Sequence, residues 1–598
     1  MCGLVFTTRP NVSTGPQWQR CVDVIECRGP DDIRQLSNDQ FAAGHSRLAI
    51  IGLGAAGQQP YSVDPDADVL LYNGEIYNYR EIGADLGIQA ESDTQVLYHM
   101  LRDGRTDKLS ELRGMFAFVY WRRDPQIVIT ARDFFGIKPL YVAEGSDGSL
   151  SFASVPAALA PLLARPSADP ESIAGFLATG FFPHSTSAFD GIDKCPEGMV
   201  TTWQRSGAGW RRTTSALSID SWPTLPTAAA IDDSVRAHLV SDVPVGVLLS
   251  GGIDSTLIAA SAAEQVDGLL TFSLTNPDNP SIDEASYARW NAEIIGARHT
   301  EVPFEPAVSL DIIRDLVQST GEPFGDAAYV PLSVLCQRVA GELKVVLAGE
   351  GADELFGGYR RYEVERHRYA ALTGAPLRAL SRMRGSQGAY LDREPSQQVR
   401  AWAQWGESDD YLAHSYLLSS EWAAVEAALP SAAPGALARQ QRTWASLGTL
   451  PQSLGLPNHK AYDLTQWLPN VFLEKSDRAS MLNSVEVRVP YLDPVVARAS
   501  MAVKPDGTTK AALRSALLAK LPDVRLPPRK MGLSVDVAAL IATTGLDDYV
   551  KFMLHDSGSI LRSIDVATSD LLERRAALNP TLAFRLGVLG VWQDQWLT

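Results

Sequence analysis

Cysteine is scarce in this chain, and no two cysteines have a spacing that suggests a paired site. The 598 residues include five cysteines, namely Cys2, Cys21, Cys27, Cys195 and Cys336. An odd number without a CxxC pair argues against a disulfide scaffold or a zinc ribbon and is typical of a reducing compartment. We therefore expect hydrophobic cores, rather than cross-links, to hold the fold together.

Long apolar runs and an excess of positive charge are also missing. No segment approaches the roughly 20 apolar residues of a membrane span, and the N-terminus MCGLVFTTRP lacks the pattern of a secretory signal. Lysine and arginine number 53 against 70 aspartates and glutamates, so the formal net charge is -17. We predict a soluble cytoplasmic protein that binds neither nucleic acid nor a membrane.

The first 155 residues are rich in alternating and β-branched runs. MCGLVFTT, FAAGHSRLAII and DVLLYNG each predict a strand that ends at turn residues. FAFVYW and IVITARD flank RRDPQ, and KPLYVAE and SLSFAS flank GSDG, so we expect two hairpins. SDTQVLYHMLRDG predicts a helix that ends at glycine. Paired sheets with a few helices describe this part best.

A segment rich in Ser, Thr, Gly and Pro, residues 205–228, predicts a linker between domains 1–210 and 226–598. Beyond it, strands such as VGVLL, GLLTFSL, HTEVPF and KVVLAG alternate with helices. This alternation predicts a mostly parallel, doubly wound sheet. In the helix EASYARWNAEIIG we expect one shared face made of Tyr287, Trp290, Ile294 and Ile295. Residues 361–460 are helix-prone and predict helical additions to the second domain.

Cys2 directly follows the initiator methionine. If Met1 is removed, the thiol and a free α-amine lie on one residue, and an amine with a pKa of about 8 can act as base to its own side chain. Taken alone, Cys2 is simply a small residue at a strand start. Other side chains favour a nucleophile: Asn73 in NGE can donate to an oxyanion, Arg47 can clamp a carboxylate and Asp93 can hold an ammonium.

The motifs MCG, RGPDD, GHSRLAI, YNGEIYNYRE, SDTQV, LRGMFAF and ARDFFGIKPLY occur in the order seen in class II glutamine amidotransferases. The chain specifically resembles the asparagine synthetase B type. The resemblance implies an N-terminal-nucleophile (Ntn) hydrolase fold, an αββα sandwich, with Cys2 as the glutaminase nucleophile and Asn73 and Gly74 as the oxyanion hole. It implies a glutamine pocket made of Arg47, the backbone near Ile50, Asn73, Gly74, Glu75 and Asp93.

A second candidate site begins at SGGIDS, residues 250–255, between a predicted strand and a helix. Glycines let backbone N–H groups approach phosphate, and a helix N-terminus favours negative charge. Ser250 and Ser255 add hydroxyl donors, and Asp254 can hold a metal ion carried by a nucleotide. The loop is not GxxxxGK[ST], so γ-phosphate transfer is not expected. A short glycine loop is weak evidence by itself.

Three acidic residues, Glu350, Asp353 and Glu354, follow another predicted strand in LAGEGADELFGGY. Because ligands collect at the carboxyl ends of parallel strands, we expect Asp254 and Asp353 to meet across one Mg²⁺ ion. A solvated acidic helix cap would explain the same cluster if it were read alone.

These features, with FLEKSDRASMLNSVEVRVPYLD and RKMGL, resemble the synthetase domain of the same family, which has an ATP-pyrophosphatase fold. The resemblance implies AMP-forming activation of a carboxylate by ATP and Mg²⁺. Glu350 would bind or deprotonate the incoming nitrogen, and Lys530 would stabilise the separating charges. The pyrophosphate side of ATP would contact Ser250, Gly251, Gly252, Asp254 and Ser255. Adenosine would contact Leu248, Leu274, Ala348 and Gly349, and the metal ligands would be Asp254 and Asp353.

Several positions depart from the family pattern and bear on the acceptor. They are Val155, Gly321, Ala348, Arg529, Leu533 and the segment SLTNPDNPSIDEA. The resulting hypothesis is an amide ligase: Cys2 releases ammonia from glutamine, and the ammonia passes, sequestered, to an adenylated carboxylate, which is aspartate in the leading interpretation. A different biosynthetic carboxylate and a non-catalytic binding paralogue stay as alternatives. A homodimer is compatible with the sequence.

Overall fold

Two stacked antiparallel sheets form the N-terminal part of the chain. In this computed structural model the described residues are 2–597 except 10–11, 14, 184, 208, 278–282, 307–308, 360–361, 363–420, 448, 504–509, 529–532, 534 and 566–569. The strands are β1 Cys2–Thr7, β2 Asp32–Ser37, β3 Ala42–Arg47, β4 Asp68–Ile76, β5 Gly114–Arg122, β6 Ile127–Arg132, β7 Tyr141–Glu144, β8 Leu150–Ala153, β9 Asp193–Lys194, β10 Met199–Ser206 and β11 Gly209–Ala216. One sheet has the order β2-β3-β1-β8-β7-β9, and the other has the order β11-β10-β6-β5-β4.

Strand alternation places the core of this sandwich. Leu4 and Phe6 of β1 pack in the layer between the two sheets with Leu71 of β4, while Val5 points to the opposite face. The helices here are α1 Pro16–Ile25, α2 Tyr79–Asp85, α3 Asp93–Arg102 and α4 Pro170–Thr179. Helix α1 covers Val5 with Trp18, and α3 packs on the outer face of the other sheet. This arrangement is the predicted αββα sandwich.

A five-stranded sheet forms the core of the C-terminal part. Its strands are β12 Val245–Leu248, β13 Leu270–Thr275, β14 Arg298–Pro303, β15 Val345–Leu347 and β16 Glu486–Arg488, and every neighbouring pair is parallel. Because the order is β14-β13-β12-β15-β16, the direction of winding reverses between β12 and β15. The doubly wound sheet is therefore confirmed, and its switch point is the expected place for a ligand.

Helices surround this sheet and extend it. They are α5 Thr227–His238, α6 Ile253–Ala263, α7 Ala285–Ile295, α8 Ser309–Thr320, α9 Tyr329–Ala340, α10 Ala352–Phe356, α11 Trp422–Ala428, α12 Ala433–Ala445, α13 Thr449–Ser453, α14 Asn458–Tyr462, α15 Glu474–Met481, α16 Pro494–Met501, α17 Ala511–Lys520, α18 Val537–Thr544, α19 Leu546–His555, α20 Ile560–Ile564, α21 Asp570–Leu578 and α22 Pro580–Trp596. A π-helix, Asp463–Leu473, leads directly into α15. Within the described ranges, no helix is long and apolar enough to cross a membrane.

Part of the predicted linker is a strand. Strand β11 lies inside residues 205–228 and pairs with β10 along its whole length, from Met199–Ala216 to Ser206–Gly209. It is an edge strand with mostly exposed side chains, so it lacks the apolar alternation that identifies a half-buried strand. The linker prediction was therefore wrong for residues 209–216.

The predicted face of helix α7 is not the face that the helix buries most deeply. The residues that it buries are Ala285, Ala288, Asn291 and Ala292, whereas the larger predicted residues are only partly covered. Small side chains face inward because the Gly251 loop approaches closely: a Cβ on Gly251 would lie 2.7 Å from the Ala288 nitrogen. The prediction for residues 361–460 falls mostly on residues that are not described, and the described part from Trp422 onward is helical.

Candidate active sites

Cys2 lies at the start of β1, opposite Arg47 of β3, and is 6% exposed. Its backbone nitrogen donates to the Asn73 side-chain oxygen at 2.9 Å. Burial raises the pKa of the Cys2 thiol, while the N-terminal positive charge and the Leu48 backbone N–H oppose this increase. Leu48 was not identified from the sequence, because a backbone donor leaves no residue signal. The positive charge and the backbone donor beside the thiol favour the thiolate, which is the nucleophilic form.

Two candidate oxyanion donors lie side by side in β4. The Asn73 side-chain nitrogen is buried and has no hydrogen-bond acceptor among the described residues, so it is free to donate to a ligand. Gly74 has φ of 149°, and a Cβ there would lie 2.0 Å from the Met115 carbonyl oxygen. The close approach of β5 therefore requires glycine after Asn73, which orients the two donors relative to Cys2.

The other predicted glutamine contacts surround this centre with different partners. Arg47 donates to the carbonyls of Ile51 and Gly52 at 3.2 and 2.6 Å, so it shapes the loop after β3. Asp93 accepts from the Tyr72 hydroxyl at 3.0 Å and from backbone N–H groups. The carbonyl of Ile50 accepts from the Asp242 backbone N–H at 2.9 Å.

Glu75 is a buried carboxyl beside this pocket. One of its oxygens has no partner among the residues that the structure describes. Burial, followed by the negative charges of Glu486 and Asp93, holds the pKa of Glu75 well above its usual range. An ammonium group placed here would satisfy the free oxygen and favour the charged carboxylate.

A cavity of about 340 Å³ opens at the switch point of the parallel sheet. It is lined by nine of the predicted residues, namely Leu248, Ser250, Asp254, Ser255, Leu274, Ala348, Gly349, Glu350 and Asp353. Residues that follow β12, β13 and β15 thus come together, as expected at the carboxyl ends of parallel strands. The lining combines apolar side chains with carboxylates, which suits a nucleotide base and its metal-bound phosphates.

The SGGIDS loop is held in shape by its own hydroxyls. The Ser250 backbone N–H donates to the Ser255 hydroxyl at 3.1 Å, and the two hydroxyls lie 3.0 Å apart. Gly252 is the N-cap residue of α6, and Gly251 has φ of +82°. Free backbone donors at the start of an 11-residue helix form a suitable cradle for phosphate.

We expect Gly251→Ala to abolish pyrophosphate release while glutamine hydrolysis persists. The new Cβ would lie 2.7 Å from the Ala288 nitrogen at a φ that favours glycine, so the loop must move away from α7. Assays of both half-reactions in one preparation test this. The matched control is Gly341→Ala, whose new Cβ would lie no closer than 3.5 Å to another atom. This variant should retain both half-reactions. Normal pyrophosphate release by Gly251→Ala would contradict the expectation.

Lys510 joins the two acidic residues that the sequence predicted to share a metal ion. Its ammonium lies 2.5 Å from the Asp254 carboxylate and 2.7 Å from that of Asp353. The second Asp254 oxygen is buried without a partner in the described structure. Two carboxylates that converge on one cation fit the donor chemistry of Mg²⁺. Lys510 was not predicted from the sequence, because a lone lysine before a helix carries no distinguishing pattern.

Further polar groups line the same cavity. Glu350 accepts a hydrogen bond from the Ser476 hydroxyl at 2.9 Å. Glu354 accepts one from Tyr359 at 2.6 Å, and burial, then the Asp353 charge, raises the pKa of Glu354 to about 7. Among the described residues, no group of three or more His, Cys, Asp or Glu side chains could form a metal site unaided. Mg²⁺ in proteins commonly binds one or two carboxylates and completes its coordination with phosphate oxygens and water.

The departures from the family pattern have different surroundings. Ala348 and Leu533 line the cavity. Gly321 instead lies against the main chain of Ala157, where an added Cβ would be 2.6 Å from the Ala157 nitrogen, and it has φ of +79°. This contact, rather than a ligand, explains why position 321 is glycine. Lys530, Arg529 and Met1 lie outside the described residues.

The fold and the two sites define a class of protein. An αββα sandwich with Cys2 at a strand start, joined to a doubly wound sheet with a nucleotide-type cavity, is the architecture of a glutamine-dependent synthetase. Comparison with protein families agrees. The family described as asparagine synthase matches residues 227–582, and the glutamine amidotransferase domain matches residues 1–213.

The chain belongs to the asparagine synthase family. It is 28% identical over 586 residues to "Asparagine synthetase [glutamine-hydrolyzing] 1" of Bacillus subtilis (strain 168), covering 93% of this chain and 90% of that protein. It is 31% identical over 359 residues to "Asparagine synthetase B [glutamine-hydrolyzing]" of Escherichia coli (strain K12), covering 56% and 59%. The predicted family, fold class and enzyme class, an ATP-dependent amide ligase, are confirmed.

Proposed function

We propose that the protein transfers ammonia from glutamine to an adenylated carboxylate, and that the carboxylate is the side chain of aspartate. The observation that carries this proposal is the presence of two separate reaction centres in one chain. Cys2 and Asn73 meet in the sandwich, while Asp254, Asp353 and Glu350 line the nucleotide cavity. The names of the curated relatives support aspartate as acceptor and asparagine as product.

In the glutaminase half, the Cys2 thiolate attacks the side-chain carbonyl carbon of glutamine after its proton has passed to the Cys2 α-amine. This step requires removal of Met1. Asn73 and the Gly74 backbone N–H stabilise the oxyanion. The C–N bond then breaks, the amine returns the proton to the leaving ammonia, and water hydrolyses the thioester to glutamate. We assign Arg47, Ile50, Glu75 and Asp93 to glutamine binding; the free oxygen of Glu75 supports an ammonium contact.

In the synthetase half, an acceptor carboxylate oxygen attacks the α-phosphorus of ATP and pyrophosphate leaves. We assign the phosphates to Ser250, Gly251, Gly252, Asp254 and Ser255, and adenosine to Leu248, Leu274, Ala348 and Gly349. When bound, Mg²⁺ supplies positive charge to the phosphates. Asp254 and Asp353 would hold it, which the convergence of both carboxylates on Lys510 supports.

Ammonia then attacks the acyl-adenylate carbon, the bond to AMP breaks, and Glu350 accepts a proton. The Ser476 hydroxyl supports this assignment because it holds the Glu350 carboxylate in place at 2.9 Å. Lys530 is assigned to stabilise charge on the phosphates. We propose a sequestered passage for ammonia between the two sites, because free ammonia is mostly protonated at neutral pH and lost to solvent.

The predicted domains are 1–210 and 226–598, and we propose that the first extends to Ala216, because the edge strand β11 completes the N-terminal sheet. A homodimer stays a prediction, which light scattering of the purified chain tests.

The function is tested by pyrophosphate release with Mg-ATP and ammonia, which bypasses Cys2. We expect aspartate to stimulate release and asparagine to appear in equal amount. Omission of the acceptor and replacement of aspartate by glutamate are the controls. If aspartate does not stimulate pyrophosphate release in folded protein that hydrolyses glutamine, aspartate is not the acceptor.

A second candidate is an enzyme that amidates a different carboxylate. Ala348 and Leu533 favour it, because these departures line the cavity where an acceptor would meet ATP. Stimulation of pyrophosphate release by a different carboxylate in the same assay would support this candidate.

A further inference from the structure

Helix α15 contacts both reaction centres. Residues 475–481 of this helix are buried. With 3.6 residues per turn, Glu474 and Asp477 share one side, whereas Lys475 and Ser476 point to other sides. The side with Glu474 and Asp477 contacts the glutaminase half, and the sides with Lys475 and Ser476 contact the synthetase half.

Asp477 is linked to the proposed nucleophile through Arg28. The Arg28 guanidinium donates to both Asp477 carboxylate oxygens, at 2.8 and 3.0 Å. The third guanidinium nitrogen, Nε, donates to the backbone carbonyl of Cys2 at 3.2 Å. The Arg28 and Asp477 side chains are only 3% and 7% exposed. A bidentate pair in such a setting has a narrow geometry, so Arg28 follows the position of Asp477.

Glu474 provides a second anchor on the same side of the helix. Its carboxylate lies 3.0 Å from the Lys194 ammonium and accepts a hydrogen bond from Tyr141 at 3.0 Å. Tyr141 and Lys194 belong to β7 and β9 of the glutaminase sandwich. The side of α15 that carries Glu474 and Asp477 is therefore fixed to that sandwich at two places.

Lys475 and Ser476 face the synthetase site. Ser476 donates to Glu350 at 2.9 Å, and Lys475 lies 3.3 Å from Asp326 and lines the nucleotide cavity. Ser476 and Asp477 are consecutive residues, separated by one rigid peptide unit. A movement of the Ser476 main chain on acceptor loading therefore displaces Asp477 or breaks one of its hydrogen bonds to Arg28.

We propose that Asp477 is a positioning residue for Cys2, and that α15 couples glutamine hydrolysis to loading of the synthetase site. The inference rests on the proposed function and deepens it. Asp477 orients Arg28, Arg28 holds the main chain of Cys2, and Ser476 connects the same helix to Glu350. Glutamine hydrolysis without an acceptor is futile, and this chain of contacts lets the position of Cys2 improve further when the synthetase site is loaded. Couplings between sites typically change affinity by about 5- to 150-fold.

The inference is tested with Asp477→Asn, which keeps the side-chain shape and removes the charge. Asp233→Asn is the matched control, because Asp233 also pairs across the two halves, with Arg113 at 2.8 Å, but contacts neither reaction centre. The first measurement is the rate at which a diazo-ketone analogue of glutamine alkylates Cys2, which needs no acceptor. We expect Asp477→Asn to slow this reaction at least about 5-fold and Asp233→Asn to leave it unchanged.

The second measurement is the rate of glutamate formation with and without Mg-ATP and aspartate. We expect stimulation in the wild-type protein and in Asp233→Asn, and its loss in Asp477→Asn with ammonia-dependent pyrophosphate release retained. Asp477→Glu, which restores the charge, regains part of the stimulation. The inference would be overturned if Asp477→Asn and Asp233→Asn lost the stimulation equally. It would also be overturned if Cys2 in Asp477→Asn were alkylated at the wild-type rate. If the alkylation rates are as expected but aspartate does not stimulate pyrophosphate release, the result overturns aspartate as the acceptor and not the role of Asp477.

Discussion

Cys2→Ala loses glutamine-dependent amide synthesis and keeps ammonia-dependent synthesis. Without the thiol no thioester forms, and the loss in glutamine hydrolysis is expected to reach at least about 1,000-fold, as for removal of other covalent nucleophiles. The synthetase cavity is unaffected, because none of its lining residues belongs to β1. Measurement of product formation from glutamine and from ammonium chloride in parallel gives the ratio of the two activities.

The matched control for Cys2→Ala is Cys21→Ala. Cys21 is also buried and lies in α1, where its thiol donates to the Gln17 carbonyl. It should retain both activities. Mass analysis of the N-terminus belongs in the same experiment, since a protein that keeps Met1 has no free amine on Cys2 and resembles the alanine variant. Glutamine-dependent synthesis by Cys2→Ala would show that another residue attacks glutamine.

The regular elements of both halves follow from local sequence patterns. Alternation and turn residues gave the strands of the sandwich, and the strand, loop and helix at SGGIDS occur where predicted. Exposed strand β11 was missed because an edge strand need not bury alternate residues. The inward face of α7 was missed because apolar size suggested Trp290, whereas backbone contact with the Gly251 loop selects small residues such as Ala288.

The site contacts depend on pairings that no local pattern encodes. Asn73 meets Cys2 across 71 residues, and Lys510 meets Asp254 across 256. The first was suggested by the chemistry of the two side chains and by the family resemblance, not by their spacing. The second was not expected, because one lysine has no spacing to analyse. Asp477, adjacent to Ser476 in a motif that the sequence analysis identified without assigning a role, becomes interpretable only when Arg28 is seen beside it.

Asp353→Asn is expected to reduce ammonia-dependent pyrophosphate release by on the order of 100-fold or more. Asp353 and Asp254 share one cation in the structure, at 2.7 and 2.5 Å from the Lys510 ammonium. Removal of one negative charge leaves Asp254 to balance both Lys510 and an incoming divalent ion, so Mg²⁺ binds more weakly. A titration with Mg²⁺ at saturating ATP measures this as a higher half-saturating concentration.

The control for this variant is Asp547→Asn, which removes an exposed partner of Lys551 in α19, far along the chain from the cavity residues. It should leave the Mg²⁺ titration unchanged, since an exposed pair of this kind contributes little. Glutamine hydrolysis measured without ATP should persist in Asp353→Asn, which separates loss of the synthetase site from loss of the fold. A carboxylate that binds Mg²⁺ cannot be neutralised without a change in the affinity of the site for the ion. The shared-ion assignment would therefore be contradicted if Asp353→Asn released pyrophosphate within twofold of the wild-type rate at every Mg²⁺ concentration.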